Sequence, residues 1–400
     1  MKKLLHIISV FFRSLTEVYA RELRSLVKDQ GVVLFFLFLP LAYPVIYSLI
    51  YNKELVRDVP VVVVDHARTS DSRDLVRKFD ASQGARIIGY ASDLDEARRA
   101  INEREAFAIM EIPADYSRAI GRTEQAQVQL YCETSLLLRY RALLFSATEV
   151  SLDIGAELQA RGLKEIGVSS MSVDDPMPVV AAQLGNLQSG FDSFIMPGVL
   201  ILILQQCIVL AVGMMGGGRN ERIMLGQRPV FATGSTLITL AGRALCYITI
   251  LALPIIWLTH FVPIIFRFPM MGDSLQIFEF LLPVVLSSIA LGFIVQIFTS
   301  EREAIFIIWV ATSVLFLFLS GLTWPRYAMA PVWKVLSDLI PATWGVNGFI
   351  LMNANGASLT DIEPLYRNLW ILTAVYWAIA WAAHTIVLRL RIRRARLRQP

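Results

Sequence analysis

GVVLFFLFLPLAYPVIYSLIY, residues 31–51, carries no charged residue, and that stretch decides the class of the protein. A helix needs roughly 20 apolar residues to cross a hydrocarbon core. Outward from it, residues 52–193 read as ordinary soluble sequence. The chain then re-enters an apolar regime near Phe194 and holds it until Leu388. Five further stretches are long and apolar enough to span: 194–215, 236–258, 276–298, 304–323 and 367–388. With 55% hydrophobic residues and a mean hydropathy of +0.55 over 400 residues, a soluble chain could not cover its apolar surface. A signal peptide competes for residues 31–51. The run is too long and has a long polar lead, and no small-residue cleavage site follows it, so a retained span is expected.

Charge placement orients the spans. Lys2, Lys3, Arg13, Arg21, Arg24 and Lys28 precede the first, and Arg389, Arg391, Arg393, Arg394, Arg396 and Arg398 follow the last. Positive residues stay on the cytoplasmic side, so both termini are expected there and the number of spans is even. The connection 216–235, with Arg219, Arg222 and Arg228, reads as cytoplasmic, and 259–275, with Arg267 alone, as outside. The basic tail 389–400 is assigned to topology and contact with anionic lipid rather than to nucleic acid. Cys207 and Cys246 fall in expected spans and Cys132 in the soluble segment, so that segment has no internal disulfide.

Strand and helix signals alternate through 52–193, which is the pattern of a small α/β domain. Strands are predicted at 59–65, 86–90, 107–112 and 126–132, and helices at 70–79, 93–102 and 115–120. A long helical pattern from Thr134 to Ile166 reads as a stalk, and 167–178 as turn-rich. Asp65, Asp93 and Asp115 sit where turns and helix caps explain them without catalysis. The fold class that follows is a polytopic α-helical membrane protein. It has six transmembrane helices and an α/β extracytoplasmic domain inserted after the first.

Residues 13–30 and 216–235 are the accessible surfaces on the cytoplasmic side, and a third segment, 321–366, is too long and aromatic for a simple loop. Residues 13–30 space Leu15, Val18, Tyr19, Leu23, Leu26 and Val27 among charges, as an amphipathic helix at the interface would. Pro40 and Pro44 should kink the span that follows. Segment 216–235 is glycine-rich, and its Glu221-Arg222-Ile223-Met224-Leu225-Gly226 suits a short helix docking in a groove of a soluble partner. Segment 321–366, with Trp324, Trp333 and Trp344, is expected to hold a short re-entrant or interfacial helix near 331–339 on the outer face.

Chemistry-bearing motifs are scarce. Gly213–Asn220 mimics a phosphate loop, but Arg219 stands for the lysine and Asn220 for the magnesium-binding hydroxyl, so it reads as a glycine-rich helix end. His6, His66, His260 and His384 are scattered singly without metal-ligand spacing. No nucleophile elbow is present. Arg243 lies near a span end and can snorkel, Glu279 is near another, and Glu301-Arg302-Glu303 forms a tight turn. Gln205 and Gln206 in the second span suit either helix–helix hydrogen bonds or the lining of a passage. The chain therefore reads as non-catalytic by itself.

Several stretches, in this order, resemble the permease subunits of type-2 ABC exporters, in the branch with a large domain after the first span. RELRSLVKDQGVVLFFLFLPLAYPVIYSLIY is similar to the family's connecting helix and first span, and VPVVVVD with AIMEIPADYSRAI to its outside domain. GRNERIMLGQRPV stands where the family's coupling segment usually reads E-x-G-T-x-E-x-L, of which only part is kept. LFLFLSGLTWPRYAMAPVWKVLSDLIPATWGVNGF is similar to the segment before the last span.

The resemblance implies a half-transporter in a bacterial inner membrane that exports a hydrophobic or drug-like small molecule. It would pair with a second permease, identical or similar, and with separate ABC ATPase subunits. This chain would bind no cofactor, and ATP and Mg would be held by the ATPase. A periplasmic adaptor is left open as a further partner. The coupling residues implied are Arg21, Glu22, Arg24, Glu221, Arg222, Met224 and Leu225, with Gln205 and Gln206 on the translocation path. The rival reading is a membrane-anchored sensor or assembly protein with an outside ligand- or partner-binding domain. It predicts a cytoplasmic output domain, and the inside segments are too short for one.

Overall fold

The computed structural model describes residues 2–51, 55–122, 124–165, 190–225, 235–268 and 270–397. The turn-rich stretch 167–178 and the later part of connection 216–235 lie outside the described residues. In chain order, α1 is Lys2–Val27 and α2 is Gln30–Tyr51. The soluble segment holds β1 (Val59–Asp65), α3 (Ser70–Asp80), β2 (Ala85–Tyr90), α4 (Leu94–Asn102), β3 (Ala108–Ile112), α5 (Tyr116–Gly121), β4 (Gln129–Cys132) and α6 (Leu137–Glu165). There follow α7 (Phe191–Met224), α8 (Thr236–Phe266), α9 (Ser274–Phe298), α10 (Ala304–Leu319), α11 (Pro331–Asp338), α12 (Pro341–Asn355) and α13 (Glu363–Leu397). Contacts divide these into two compact units, Met1–Asn52 with Gln183–Pro400, and Lys53–Ala182.

In the smaller unit the strand order is β2-β1-β3-β4, with β1 parallel to β2 and β3, and β4 antiparallel to β3. The valine run 59–64 is apolar throughout because β1 is central and covered on both faces. Val59, Val61 and Val63 pack with Leu75, Val76 and Phe79 of α3 and Leu143 and Val150 of α6. Val62 and Val64 pack with Ala97 of α4 and Ile109. Local chemistry starts the helices. Thr69 and Ser72 form a reciprocal capping box on α3, and Asp93 accepts from the Glu96 amide at 2.8 Å on α4. Asp65 holds its turn by accepting from Ala67 N and Arg68 N, both at 2.9 Å. Asp115 makes no cap bond and faces Arg118 instead, at 3.8 Å. The last strand is shorter than predicted, Gln129–Cys132 rather than 126–132.

In the larger unit, five described helices are long and apolar enough to cross a membrane: α2, α7, α8, α9 and α13 up to Val387. A sixth arises if the bent pair α11 and α12, which meet at 88°, counts as one span. The expected fifth span at 304–323 is present as α10, an apolar helix of 16 residues, shorter than expected at about 24 Å against a core of about 30 Å. The chain ends that helix at Leu319 because Gly321 takes a left-handed φ of 89° and Pro325 follows. The expected helix near 331–339 is present as α11, but α12 was not predicted. Its glycines and asparagines dilute the hydropathy, yet most of its residues are buried. α7 is the central post, buried along 83% of its most apolar window. Pro44 sits inside α2, and a π-turn at Leu34–Phe38 lies upstream of Pro40, as expected where prolines leave backbone carbonyls unpaired.

Candidate functional site: a buried carboxylate at the α1 junction

Helix α1 turns one narrow stripe inward. Val18, Glu22 and Leu26, at i, i+4 and i+8, are 3%, 6% and 1% exposed, so a carboxylate sits at the centre of an otherwise apolar seam. Gly242 of α8 makes that docking possible. A Cβ there would lie 2.8 Å from Val18 Cβ and 3.1 Å from the Leu15 carbonyl oxygen.

A buried carboxylate must be paired, and the ends of two spans supply the partners. Arg219 of α7 donates from Nη1 to Glu22 Oε1 at 2.7 Å, and Arg243 of α8 lies 3.6 Å from Oε2. The Tyr247 hydroxyl donates to the same carboxylate. The tyrosine ring is itself stacked on Phe36 of α2 at 5.2 Å. Burial raises the Glu22 carboxyl, but Arg219, Arg243 and the Tyr247 hydroxyl together outweigh it and hold the group below its ordinary range.

From Arg219 the contacts continue inward. Its Nη2 donates to Gln296 Oε1 of α9 at 3.0 Å, and Gln296 Nε2 lies 2.8 Å from His384 Nε2 of α13. Neighbouring Asn220 donates to the Gln296 and Thr299 carbonyls at 3.0 and 2.8 Å, tying α7 to the last turn of α9. Gly216 and Gly217 let α7 come this close, since a Cβ on either would run into Gln296 or the Glu301 carbonyl. One turn beyond α1, Asp29 accepts from Val32 N at 3.1 Å as the cap of α2, and it pairs with Arg302 in the α9–α10 turn. Five helices and a turn thus converge on one polar knot inside an apolar unit.

The residues singled out from the sequence separate into three groups. Arg21, Arg24, Glu221, Arg222, Met224 and Leu225 are exposed, at or beside the ends of α1 and α7 that Glu22 and Arg219 bring together. Glu22 is internal, unlike its neighbours. Gln205 and Gln206 are buried in mid-α7, and both amide atoms of Gln205 and Nε2 of Gln206 have no hydrogen-bond partner among the described residues. Residues 213–220 are continuous helix packed on α9 and the α9–α10 turn, which makes the apparent phosphate loop a packing strip. Arg243 does not reach for an interface; it turns inward to Glu22. Gln296 and Tyr247 drew no attention from the sequence, and His384 was read as solitary. Only the placing of a glutamate on the apolar stripe of α1 hinted that cations must meet it.

A family model described as ABC-2 family transporter protein matches residues 31–382, from the start of α2 to near the end of the apolar part of α13. No curated protein matches the chain.

Proposed function

The chain belongs to the ABC-2 family of transporter proteins, a membrane component of transport rather than a catalyst on its own, and from that premise we propose how it is coupled to its energy source. Two copies of this permease, or this chain and a similar one, work with separate ABC ATPase subunits that hold ATP and Mg. Together they export a hydrophobic small molecule from a bacterial inner membrane. Both termini and the exposed ends of α1 and α7 face the cytoplasm, and the unit 53–182 lies outside, where an adaptor could dock.

The observation that carries the reading is the Glu22 knot. A soluble ATPase can touch only what is exposed, and that includes Arg21 and Arg24 on α1, and Glu221, Arg222, Met224 and Leu225 at the end of α7. Met224 and Leu225, 67% and 73% exposed, are apolar knobs suited to a groove. Any push on them moves α1 or α7, and Glu22 with Arg219 and Arg243 makes those elements and α8 move as one. Gln296 and His384 carry the displacement to α9 and α13. The Gln205 amide and Gln206 Nε2, without hydrogen-bond partners among the described residues, lie further along α7, where a rearranged bundle can offer them to a passing polar group.

Reconstitution with the cognate ATPase tests this. Met224→Asp with Leu225→Asp should abolish co-purification of the ATPase. Glu22→Ala should leave co-purification intact while transport and its stimulation of ATP hydrolysis fall by about tenfold or more. ATPase activity indifferent to this chain would refute the coupling role and return the sensor reading to the front.

A further inference from the structure

Helix α6 leaves an apolar stripe uncovered on the unit it belongs to. Its inner face is packed, with Leu143 and Val150 at 0% and 7% exposure. Its outer face presents Leu137, Leu144, Phe145 and Leu152 at 72%, 47%, 62% and 69%. One exposed leucine is ordinary; four aligned along one helix face mark an interaction surface.

The order of the stripe says what covers it. Successive spacings are seven, one and seven residues, so the pattern reads alike from either end about a point between Leu144 and Phe145. A two-fold axis through that point, at right angles to the helix, sets two copies antiparallel. Leu137 then faces Leu152 of the second copy, and Leu144 faces Phe145. Isologous pairing requires this self-complementarity.

Charge selects the same direction. Arg141 lies on the stripe with its guanidinium 5.3 Å from the centre of the Phe145 ring, and Glu149 flanks it. Both are exposed, and neither has an ion-pair partner within 4 Å among the described residues. About the same axis Arg141 meets the turn at Thr148 and Glu149 of the other copy. A parallel pair would set Arg141 against Arg141. We propose that α6 is the site at which the unit 53–182 pairs with its counterpart in a second copy of this chain, antiparallel about Leu144 and Phe145. The proposal rests on the two-permease reading in its form with two identical copies.

Cysteine cross-linking of the full chain in native membranes, in a Cys132→Ser, Cys207→Ala, Cys246→Ala background, tests it. Leu144→Cys should give a disulfide-linked dimer. Leu137→Cys and Leu152→Cys on two differently tagged, co-expressed copies should give a mixed dimer. Leu137→Cys alone should not, because in the antiparallel pair its two copies stand about 22 Å apart, beyond disulfide reach. Adding Phe145→Asp should lower the mixed dimer about tenfold. If the cysteine-free background fails to insert, a photoreactive phenylalanine derivative at position 144 of the otherwise native chain reads the same contact. Self-cross-linking of Leu137→Cys without the mixed product means a parallel pair and overturns the proposal. So does quenching of Leu152→Trp fluorescence by brominated phospholipid, which would mean that the bilayer covers the face. Absence of all cross-links from a chain that is dimeric in nanodiscs overturns the α6 contact alone, whereas a monomeric chain sinks the two-permease reading as well.

Discussion

Removing the Glu22 carboxylate is the sharpest perturbation of the α1 junction. With an effective dielectric constant of about 20, unit charges at the 2.7 Å and 3.6 Å separations from Arg219 and Arg243 attract by about 6 and 5 kcal/mol. Most of this is offset by the desolvation already incurred in burying three ions. Glu22→Ala does not recover that cost, because both guanidinium groups stay behind without their counter-charge, and loss of one partner from a buried pair costs about 3–5 kcal/mol. Local opening of α1 should therefore become more frequent by a factor of roughly 100 to 5,000. Hydrogen exchange of the amides from Val18 to Leu26, measured in nanodiscs, reads that opening directly. Amides of α9 at mid-span serve as the internal control. Glu22→Gln keeps an acceptor for Arg219 and Tyr247 but sets an amide N–H toward Arg243, so its effect should be intermediate. The pH dependence has a definite sign. The carboxyl is held below its ordinary value of 4.5, so its contribution is fully present above that pH and is lost as pH falls through the lower, folded value. Docking of α1 should thus be indifferent to pH from 8 down to about 5 and loosen only in stronger acid, and the glutamine variant should show no such step. Wild-type exchange in a folded Glu22→Ala protein would refute the knot as the element that holds α1.

Other consequences follow from single contacts. Gly242→Ala places a methyl against Val18, should cost about 1–3 kcal/mol, and should speed exchange in α1; Val18→Ala in the same chain should restore it. Asp29→Ala removes the α2 cap and the partner of Arg302, and should lower thermal stability in detergent by about 1–2 kcal/mol. Phe79→Ala, at a fully buried side chain between the β1 sheet and α6, should cost about 3–5 kcal/mol. Its signature is rapid proteolysis within 53–182 while the membrane unit stays intact.

Most of the architecture was readable from local pattern. A run such as 31–51 needs no partner to declare itself, because length and the absence of charge are properties of the segment alone. Val59–Val64 declared a strand, and Asp93 marked a helix start, for the same reason. The pattern failed where burial comes from neighbours rather than composition. α12 is diluted by Gly345, Gly348, Asn347 and Asn353, and only the surrounding helices make it an interior element.

The membrane class, the inserted α/β unit and the exposed ends of α1 and α7 were therefore fixed by sequence, since each depends on residues close together in the chain. The knot was not. Glu22 lies 197 residues from Arg219 and 225 from Tyr247, and nothing local distinguishes a snorkelling arginine from one turned inward on a carboxylate. That choice is made by the bundle. Once Gly242 admits α1 and Gly216 and Gly217 draw α7 against α9, water is excluded from Glu22. An ion without water has to find its counter-ions wherever the fold has put them.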